Sequence, residues 1–361
     1  MMHPEVGWGY ERAPYENLPH MVNQMALRSL LNRVAVLLLL MGLAVLSTAG
    51  ASRAQDRAQK ILDAVVELNA VIPPDARTAR GLGTFRRGNG IIIDDSGLVL
   101  TIGYLVLEAT RISLVRADGR TVPAEYVAYD YNTGFGLVRA IGSLGASAIP
   151  FGDSSTVSEA DRMLVVGSGG RQATIGALVV SRRPFAGYWE YMLENAIFTA
   201  PLHDNWGGAA LVNSAGELMG VGSLRVGDAQ EQNSPLTGNM FVPINLLKPI
   251  LADMLAIGRG SGPNRPYLGV FSRQLFNLVV ITGVAQDGPA ARAGIKRGDV
   301  VFSIGGQRIT KHTEFYRTLW SQGEAGDEVR VEVLRGGSLL EFRFKSGDRD
   351  DFYKTPRGES F

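Results

Sequence analysis

The sequence predicts a mostly β protein with more than one domain. Short apolar segments recur along the chain, and glycine, asparagine or aspartate separates them, as in strands joined by tight turns. A parallel α/β sheet is not indicated, because no alternation of strand and helix patterns appears. Regular short strands are typical of a β-sandwich or β-barrel. The 361 residues, of which 45% are hydrophobic, can bury about two cores.

Strands can be assigned in chain order from apolar runs that end at turn residues. Residues 65–71 form the first strand, which Pro73 and Pro74 terminate because proline cannot donate to a strand ladder. Two hairpins with aspartate and glycine in their turns are predicted over residues 90–101 and 112–123. Further strands are predicted over residues 163–166, 177–180, 197–200, 211–212 and 217–221.

A helix is predicted over residues 244–255, and a stretch rich in glycine, proline and serine follows it. Such a stretch is typical of a boundary between domains. The sequence therefore predicts a first domain over residues 55–255, a linker over 256–265, a second domain over 266–346 and a tail over 347–361.

The segment 25–54 has the layout of a secretory signal peptide. Arg28 and Arg33 precede an apolar run over residues 34–46, and small residues follow that run. The run fits a signal peptide and is shorter than the roughly 20 residues that span a bilayer. We therefore expect a signal peptide, with an uncleaved membrane anchor as the alternative.

This segment predicts a periplasmic or secreted protein, or one anchored in the inner membrane and facing the periplasm. Residues 1–24 are polar and carry three glutamates, which a signal peptide does not normally have ahead of it. They indicate an upstream mis-start region, with translation beginning at Met21 or Met25.

Composition argues against several classes of function. Thirty-six basic and 35 acidic residues leave a net charge of +1, so nucleic-acid binding is not expected. The absence of cysteine excludes disulfides, zinc-thiolate sites and thiol catalysis. Two glycine-rich segments, residues 81–83 and 167–170, lack the helix and downstream acid that dinucleotide binding needs, and no metal-ligand spacing appears. We expect no cofactor and no metal.

Motifs of the two domains occur in the order of one protease family. In the first domain they are Gly88-Asn89-Gly90-Ile91-Ile92-Ile93-Asp94, Gly97-Leu98-Val99-Leu100-Thr101, Phe151-Gly152-Asp153-Ser154 and Gly216-Glu217-Leu218-Met219-Gly220. Through them residues 88–255 resemble the protease domain of HtrA/Deg-type, trypsin-like serine proteases. Residues 266–346 resemble the PDZ domain that follows in those proteins, through Tyr267-Leu268-Gly269-Val270 and Gly288-Pro289-Ala290-Ala291. The resemblance implies a trypsin-like double six-stranded β-barrel followed by a PDZ domain.

The catalytic triad of the family does not carry over to this sequence. Its histidine matches Tyr104, its aspartate matches Gly134, and its serine matches Trp206. Acyl transfer needs a nucleophile, an imidazole that accepts its proton and a carboxylate that orients the imidazole. A phenol with a reference pKa of about 10 is a poor base near neutrality. We expect no catalytic residues.

Two further features bear on catalysis. A glycine of the family's oxyanion hole matches Asp204, whose carboxylate would oppose a developing negative charge. His203 is the one histidine near the former active site, and it lacks a placed serine or threonine partner. We interpret it as a local hydrogen-bonding residue. Trp206 either fills the space of the missing triad or binds a peptide side chain in a cleft.

The second domain keeps the parts that peptide binding needs. A PDZ domain binds a terminal carboxylate with backbone N–H groups of one loop and adds the peptide as a strand to a sheet edge. The resemblance implies that Tyr267, Leu268, Gly269 and Val270 form that loop. A helix is predicted over residues 314–320. Its residues Phe315 and Leu319, and with them Tyr316, either line the apolar pocket of the groove or pack the core of the domain.

The sequence therefore favours a catalytically inactive protease-like protein of the cell envelope that binds peptides or unfolded proteins as an adaptor, regulator or holdase. The alternative is an active serine endopeptidase with relocated catalytic groups. The expected partners are carboxyl termini of peptides or unfolded proteins and an active protease paralogue. The resemblance also implies a homo-oligomer, specifically a trimer, and membrane contact only if the segment 25–54 remains uncleaved.

Overall fold

The computed structural model describes residues 55–230 and 235–353. The predicted signal peptide or anchor and the upstream region lie outside these residues. Within the described ranges, no helix is both long and apolar enough to span a bilayer. A first helix, α1, covers residues 55–63 and leads directly into the first strand.

The first barrel closes from six antiparallel strands in the order β1-β2-β3-β6-β5-β4. They are β1 (Val65–Val71), β2 (Phe85–Ile92), β3 (Leu98–Ile102), β4 (Arg111–Val115), β5 (Thr121–Tyr129) and β6 (Phe135–Ala140). Alternate side chains of a strand point to opposite faces, and on the inner face Leu68, Ile91, Leu100, Leu114 and Leu137 are fully buried. The first strand and both predicted hairpins are confirmed.

The second barrel closes in the order β10-β11-β12-β9-β8-β7. Its strands are β7 (Arg162–Val166), β8 (Thr174–Gly187), β9 (Tyr191–Ala200), β10 (Ala210–Val212), β11 (Leu218–Val226) and β12 (Gly238–Pro243). β12 pairs with β9 over residues 197–199, whereas the β8–β9 pairing continues to Gly187 and Tyr191. The β8–β9 hairpin therefore extends beyond the part of β9 that β12 covers.

The helix predicted over residues 244–255 is wrong in its extent. The structure has a 3-10 turn at Ile244–Leu246 and a separate helix α3 at Leu251–Ile257. Pro249 lies between them, and proline lacks the N–H group of a continuous helix and disfavours helical backbone at the residue before it. The other short helical elements of the barrels are α2 (Ala79–Leu82), Gly103–Leu105, Ser154–Thr156 and Gly170–Ala173.

The C-terminal part contains a third sheet with three helices. The strands β13 (Val270–Leu275), β14 (Leu278–Val284), β15 (Val300–Ile304), β17 (Glu328–Arg335) and β18 (Ser338–Lys345) lie in that order, and β16 (Gln307–Arg308) pairs with β15. The helices are α4 (Pro289–Ala293), α5 (His312–Trp320) and α6 (Arg349–Phe352). The mostly β architecture with two six-stranded barrels and a further β domain confirms the predicted fold class.

Helix α5 begins two residues earlier than predicted. Glu314 explains the start, because its carboxylate accepts hydrogen bonds from the backbone N–H groups of Thr310 and Lys311 at 3.1 and 3.0 Å. This contact satisfies donors that the first turn of a helix leaves free. Strand β13 lies at the edge of the sheet and leaves one side without a neighbouring strand.

Candidate functional site

Tyr104, the expected counterpart of the family's histidine, lies directly after β3, within the 3-10 turn Gly103–Leu105. Its hydroxyl donates to the backbone oxygen of Ser223 at 2.9 Å. The proton that Tyr104 would have to lose before it could act as a base is therefore held in a hydrogen bond. Burial raises the pKa of Tyr104, while a hydrogen bond with the Trp206 side chain acts in the opposite direction. The phenol therefore stays protonated near neutral pH.

Gly134, the expected counterpart of the family's aspartate, has a φ of +84°. A Cβ atom placed on it would lie 3.0 Å from the hydroxyl oxygen of Tyr191. That hydroxyl donates to the Thr133 carbonyl at 2.6 Å. The nearby Asp130 carboxylate accepts hydrogen bonds from the backbone N–H and the hydroxyl of Thr133, at 2.7 and 2.6 Å. Tyr191 thus lies beside the position that a side chain at residue 134 would take.

The segment around Trp206 is held by a buried amide cluster. The side-chain nitrogen of Asn89 donates to the carbonyl oxygens of Asn205 and Gly207, each at 2.9 Å. Its side-chain oxygen accepts from the Ser168 backbone N–H at 2.7 Å and from the Asn205 side chain at 3.0 Å. Asn89 is fully buried. These bonds tie β2 of the first barrel to two loops of the second barrel, the loop before β10 and the loop after β7 that contains Ser168.

His203 lies on the same loop as Trp206 and is buried. Its backbone N–H donates to the Asn239 side chain at 2.7 Å, and its Nε2 lies 2.9 Å from the Ala173 carbonyl. Asp204 is exposed. Among the described residues, no group of three histidine, aspartate or glutamate side chains could hold a metal ion. His203 thus takes part in hydrogen bonds within the second barrel.

The loop over residues 267–270 binds a carboxylate that the chain itself supplies. Glu190 Oε1 accepts hydrogen bonds from the backbone N–H groups of Gly269 and Val270 at 2.7 and 2.8 Å, and Oε2 accepts one from Leu268 at 3.0 Å. Gly269 has a φ of +78°, which permits the turn that aims successive N–H groups at one point. The fourth loop residue differs, because the Tyr267 N–H bonds to the Gly347 carbonyl.

Glu190 belongs to the turn of the β8–β9 hairpin, which lies in the groove between β13 and α5. The Ser272 N–H of β13 donates to the Tyr188 carbonyl at 2.9 Å. From α5, the Tyr316 hydroxyl donates to the Gly187 carbonyl at 2.7 Å and accepts from the Glu190 N–H at 3.0 Å. The hairpin is therefore bonded to the edge strand and the helix together.

The predicted pocket residues Phe315 and Leu319 are fully buried. They belong to the same apolar cluster as Leu268 and Val270 of the loop, and this cluster also contains Met192 from β9. Tyr316 stacks on Trp320 with ring centroids 5.2 Å apart. Phe315, Tyr316 and Leu319 thus pack the core of the domain, and Tyr316 also contacts the hairpin that lies in the groove.

The tail contributes a cation to the same site. Arg349 of α6 donates to the backbone oxygens of Trp189 and Glu190 at 3.2 and 2.8 Å, and its guanidinium lies 4.8 Å from the centre of the Tyr267 ring. Glu190 is 1% exposed. Burial raises the pKa of its carboxyl group, and Arg349 together with the three loop N–H groups opposes that rise.

Sequence reasoning missed Glu190, Arg349, Tyr191 and the role of Asn89. Asn89 stood in a motif that supported the family resemblance, so a signal for it existed. Glu190 and Arg349 carry no local signal, because their partners lie 78 to 80 and 159 to 160 residues away.

Family models match two parts of the chain. Residues 88–221 match a trypsin-like peptidase domain, and residues 266–345 match a PDZ domain. The serine protease Do-like HtrA of Lactobacillus helveticus is 25% identical over 73% of this chain and 69% of its own length. The probable periplasmic serine endoprotease DegP-like of Rickettsia prowazekii is 26% identical over 72% of this chain, which spans about half, 52%, of that relative.

Solved structures agree with this assignment at the level of the fold. A variant of the HtrA-type protease AlgW, solved with a tripeptide, has a TM-score of 0.51 at 22% identity. The likeness covers 82% of this chain and 97% of that one. The two family matches, the HtrA- and Deg-type relatives and the two closed barrels followed by a PDZ domain together support an HtrA-type, trypsin-like protease with a C-terminal PDZ domain.

Proposed function

We propose that this chain is a catalytically inactive HtrA-type protein whose PDZ domain binds the carboxyl termini of peptides or unfolded proteins. The observation that carries the proposal is the occupation of the former catalytic position. Tyr104 is hydrogen-bonded to Ser223, and Tyr191 lies beside Gly134 where a carboxylate would project. Losing a complete triad costs about 10⁶ in kcat.

The PDZ loop supports the second half of the proposal. Three of its N–H groups converge on the Glu190 carboxylate at 2.7 to 3.0 Å, so the loop has the conformation that carboxylate binding requires. We propose Tyr267, Leu268, Gly269 and Val270 as the loop that receives the ligand. Phe315 and Leu319 then form the apolar floor beneath its terminal side chain.

Catalysis is tested with the purified chain, an unfolded casein substrate and a fluorophosphonate probe that labels activated serines. The Trp206→Ser variant and an active family member are treated in parallel. We expect labelling and cleavage by the active relative alone, because a serine at position 206 still lacks an imidazole and a carboxylate. Labelling of the unmodified chain would overturn the proposal and indicate relocated catalytic groups.

We further propose that the protein acts in the cell envelope as an adaptor, regulator or holdase. The layout of residues 25–54 supports this location, and one relative is named a probable periplasmic endoprotease. Fractionation of cells that express the full chain tests it, and recovery of the protein in the cytoplasm would contradict it. An active protease paralogue is the partner to seek by crosslinking.

A further inference from the structure

The turn of the β8–β9 hairpin presents the chemical features of a peptide carboxyl terminus. A PDZ ligand places a carboxylate on the loop N–H groups, pairs its backbone with the edge strand and buries an apolar side chain. Here Glu190 supplies the carboxylate, the Tyr188 carbonyl accepts from Ser272 of the edge strand, and Met192 joins the apolar cluster. The hairpin thus makes each type of contact that a ligand would make.

We propose that the β8–β9 turn is an internal ligand of the PDZ domain, and that external carboxyl termini bind by displacing Glu190 from the loop over residues 267–270. The inference rests on the proposed peptide-binding function, since it concerns occupancy of the same loop. It assigns a role to Glu190, for which the barrel domain itself gives no reason.

Two properties of Glu190 in the bound turn favour its replacement by an external peptide. Glu190 has a φ of +57°, a conformation that non-glycine residues adopt only at a cost. Its carboxylate is desolvated, which costs free energy that the hydrogen bonds only partly offset. An external peptide terminus brings an equivalent carboxylate without the strained backbone. The internal turn, in contrast, benefits from the high effective concentration of a tethered group.

Displacement of the turn also releases the tail. Arg349 holds the turn through the carbonyl oxygens of Trp189 and Glu190, so α6 loses these partners when the turn leaves. Peptide binding is therefore coupled to the position of the segment Arg349–Phe352. Arg349→Gln should weaken the internal ligand, and it leaves the N–H groups of Leu268, Gly269 and Val270 in place, although it also removes the contact with the Tyr267 ring.

The test measures how tightly the full chain binds a pool of fluorescein-labelled decapeptides. Each peptide has a free carboxyl terminus and ends in leucine. Glu190→Gln removes the charge and keeps the size of the side chain. The matched control is Glu194→Gln on the same hairpin, because Glu194 is exposed and pairs with Arg317 at 2.9 Å outside the loop. An amidated pool controls for carboxylate recognition.

We expect Glu190→Gln to tighten binding of the free-carboxylate pool by about tenfold or more. A gain of this size follows if the turn closes the groove in roughly nine of ten unmodified molecules. Arg349→Gln should act in the same direction and serves as a second variant should Glu190→Gln fail to fold. Glu194→Gln should change affinity less than about twofold, and the amidated pool should show no gain.

The two proposals fail in different ways. Measurable binding that is equal in the unmodified chain, Glu190→Gln and Arg349→Gln would overturn the internal ligand and leave peptide binding standing. Absence of binding in all of them would overturn both. Hydrogen exchange adds an independent readout: the amides of Leu268, Gly269 and Val270 should be protected in the unmodified chain and lose protection in Glu190→Gln. Unchanged protection would overturn the internal ligand.

Discussion

The Tyr191 hydroxyl lies beside Gly134, 3.0 Å from the point where a Cβ atom at that position would be. Position 134 is the expected counterpart of the aspartate of the family's triad, and Tyr191 belongs to the second barrel. A side chain at position 134 would therefore compete with a contact between the two barrels. A carboxylate introduced at position 134 would therefore have to displace Tyr191.

Gly134→Asp should lower the free energy of unfolding by about 2–4 kcal/mol, because the new side chain meets both a positive φ and Tyr191. Urea denaturation measures the loss. Gly119→Asp is the matched control, since Gly119 has a φ of +81° and no atom lies within 4 Å of the point that a Cβ there would take. Equal costs for the two variants would show that Tyr191 does not limit the space.

Tyr104→Phe should destabilise the chain by about 1 kcal/mol, because it removes the donor to the Ser223 carbonyl and leaves that oxygen without this partner. Chemical denaturation of both proteins gives the difference. Tyr126→Phe serves as the control, because the structure gives no hydrogen bond to the Tyr126 hydroxyl among the described residues. An unchanged free energy of unfolding in Tyr104→Phe would contradict a structural role for this phenol.

Asn89→Asp should be more costly, about 3 kcal/mol or more. The change replaces the side-chain nitrogen that donates to the Asn205 and Gly207 carbonyls with an oxygen, and it places a charge in a fully buried site. We expect a large drop in the thermal unfolding midpoint. A midpoint close to that of the unmodified chain would argue against the amide cluster as the connection between the barrels.

The stability of the chain should fall as the pH falls from 6.5 towards 4 because of His312. Burial lowers the pKa of His312 to about 4, so the unfolded chain, with a value near 6.5, binds a proton first. The contribution of neutral His312 to the free energy of unfolding is fully present above pH 6.5, and about 3 kcal/mol is lost on acidification. The raised pKa of Glu190 makes the free energy of unfolding change with pH in the opposite direction. A variant without His312 is therefore needed to separate the two groups.

His312→Gln isolates the contribution of the imidazole. Its side chain can still bond to Ser272, whose hydroxyl lies 2.9 Å from His312 Nε2. Urea midpoints of the two proteins between pH 4 and 8 should converge at the acid end and separate above pH 6.5. Parallel curves would mean that His312 does not titrate in the folded chain as proposed.

Much of the fold could be predicted because its signals are local. The strand Val65–Val71 and the hairpins around residues 94–97 and 117–119 follow from alternation and turn residues, and the structure confirms them. The helix over 244–255 was wrong because Pro249 divides it. No strand or turn was predicted around Glu190, since residues of this segment contact both the second barrel and the PDZ domain.

The sequence by itself determined the fold class and the resemblance to HtrA-type proteases, and it predicted that Tyr104, Gly134 and Trp206 replace the triad, because residue identity and motif order carry that information. Only the tertiary structure decided what occupies the spaces that result. Tyr191 beside Gly134 and Glu190 in the PDZ loop depend on how the barrels and the PDZ domain pack. Such contacts join residues far apart in the chain, and no local pattern of amino acids encodes them.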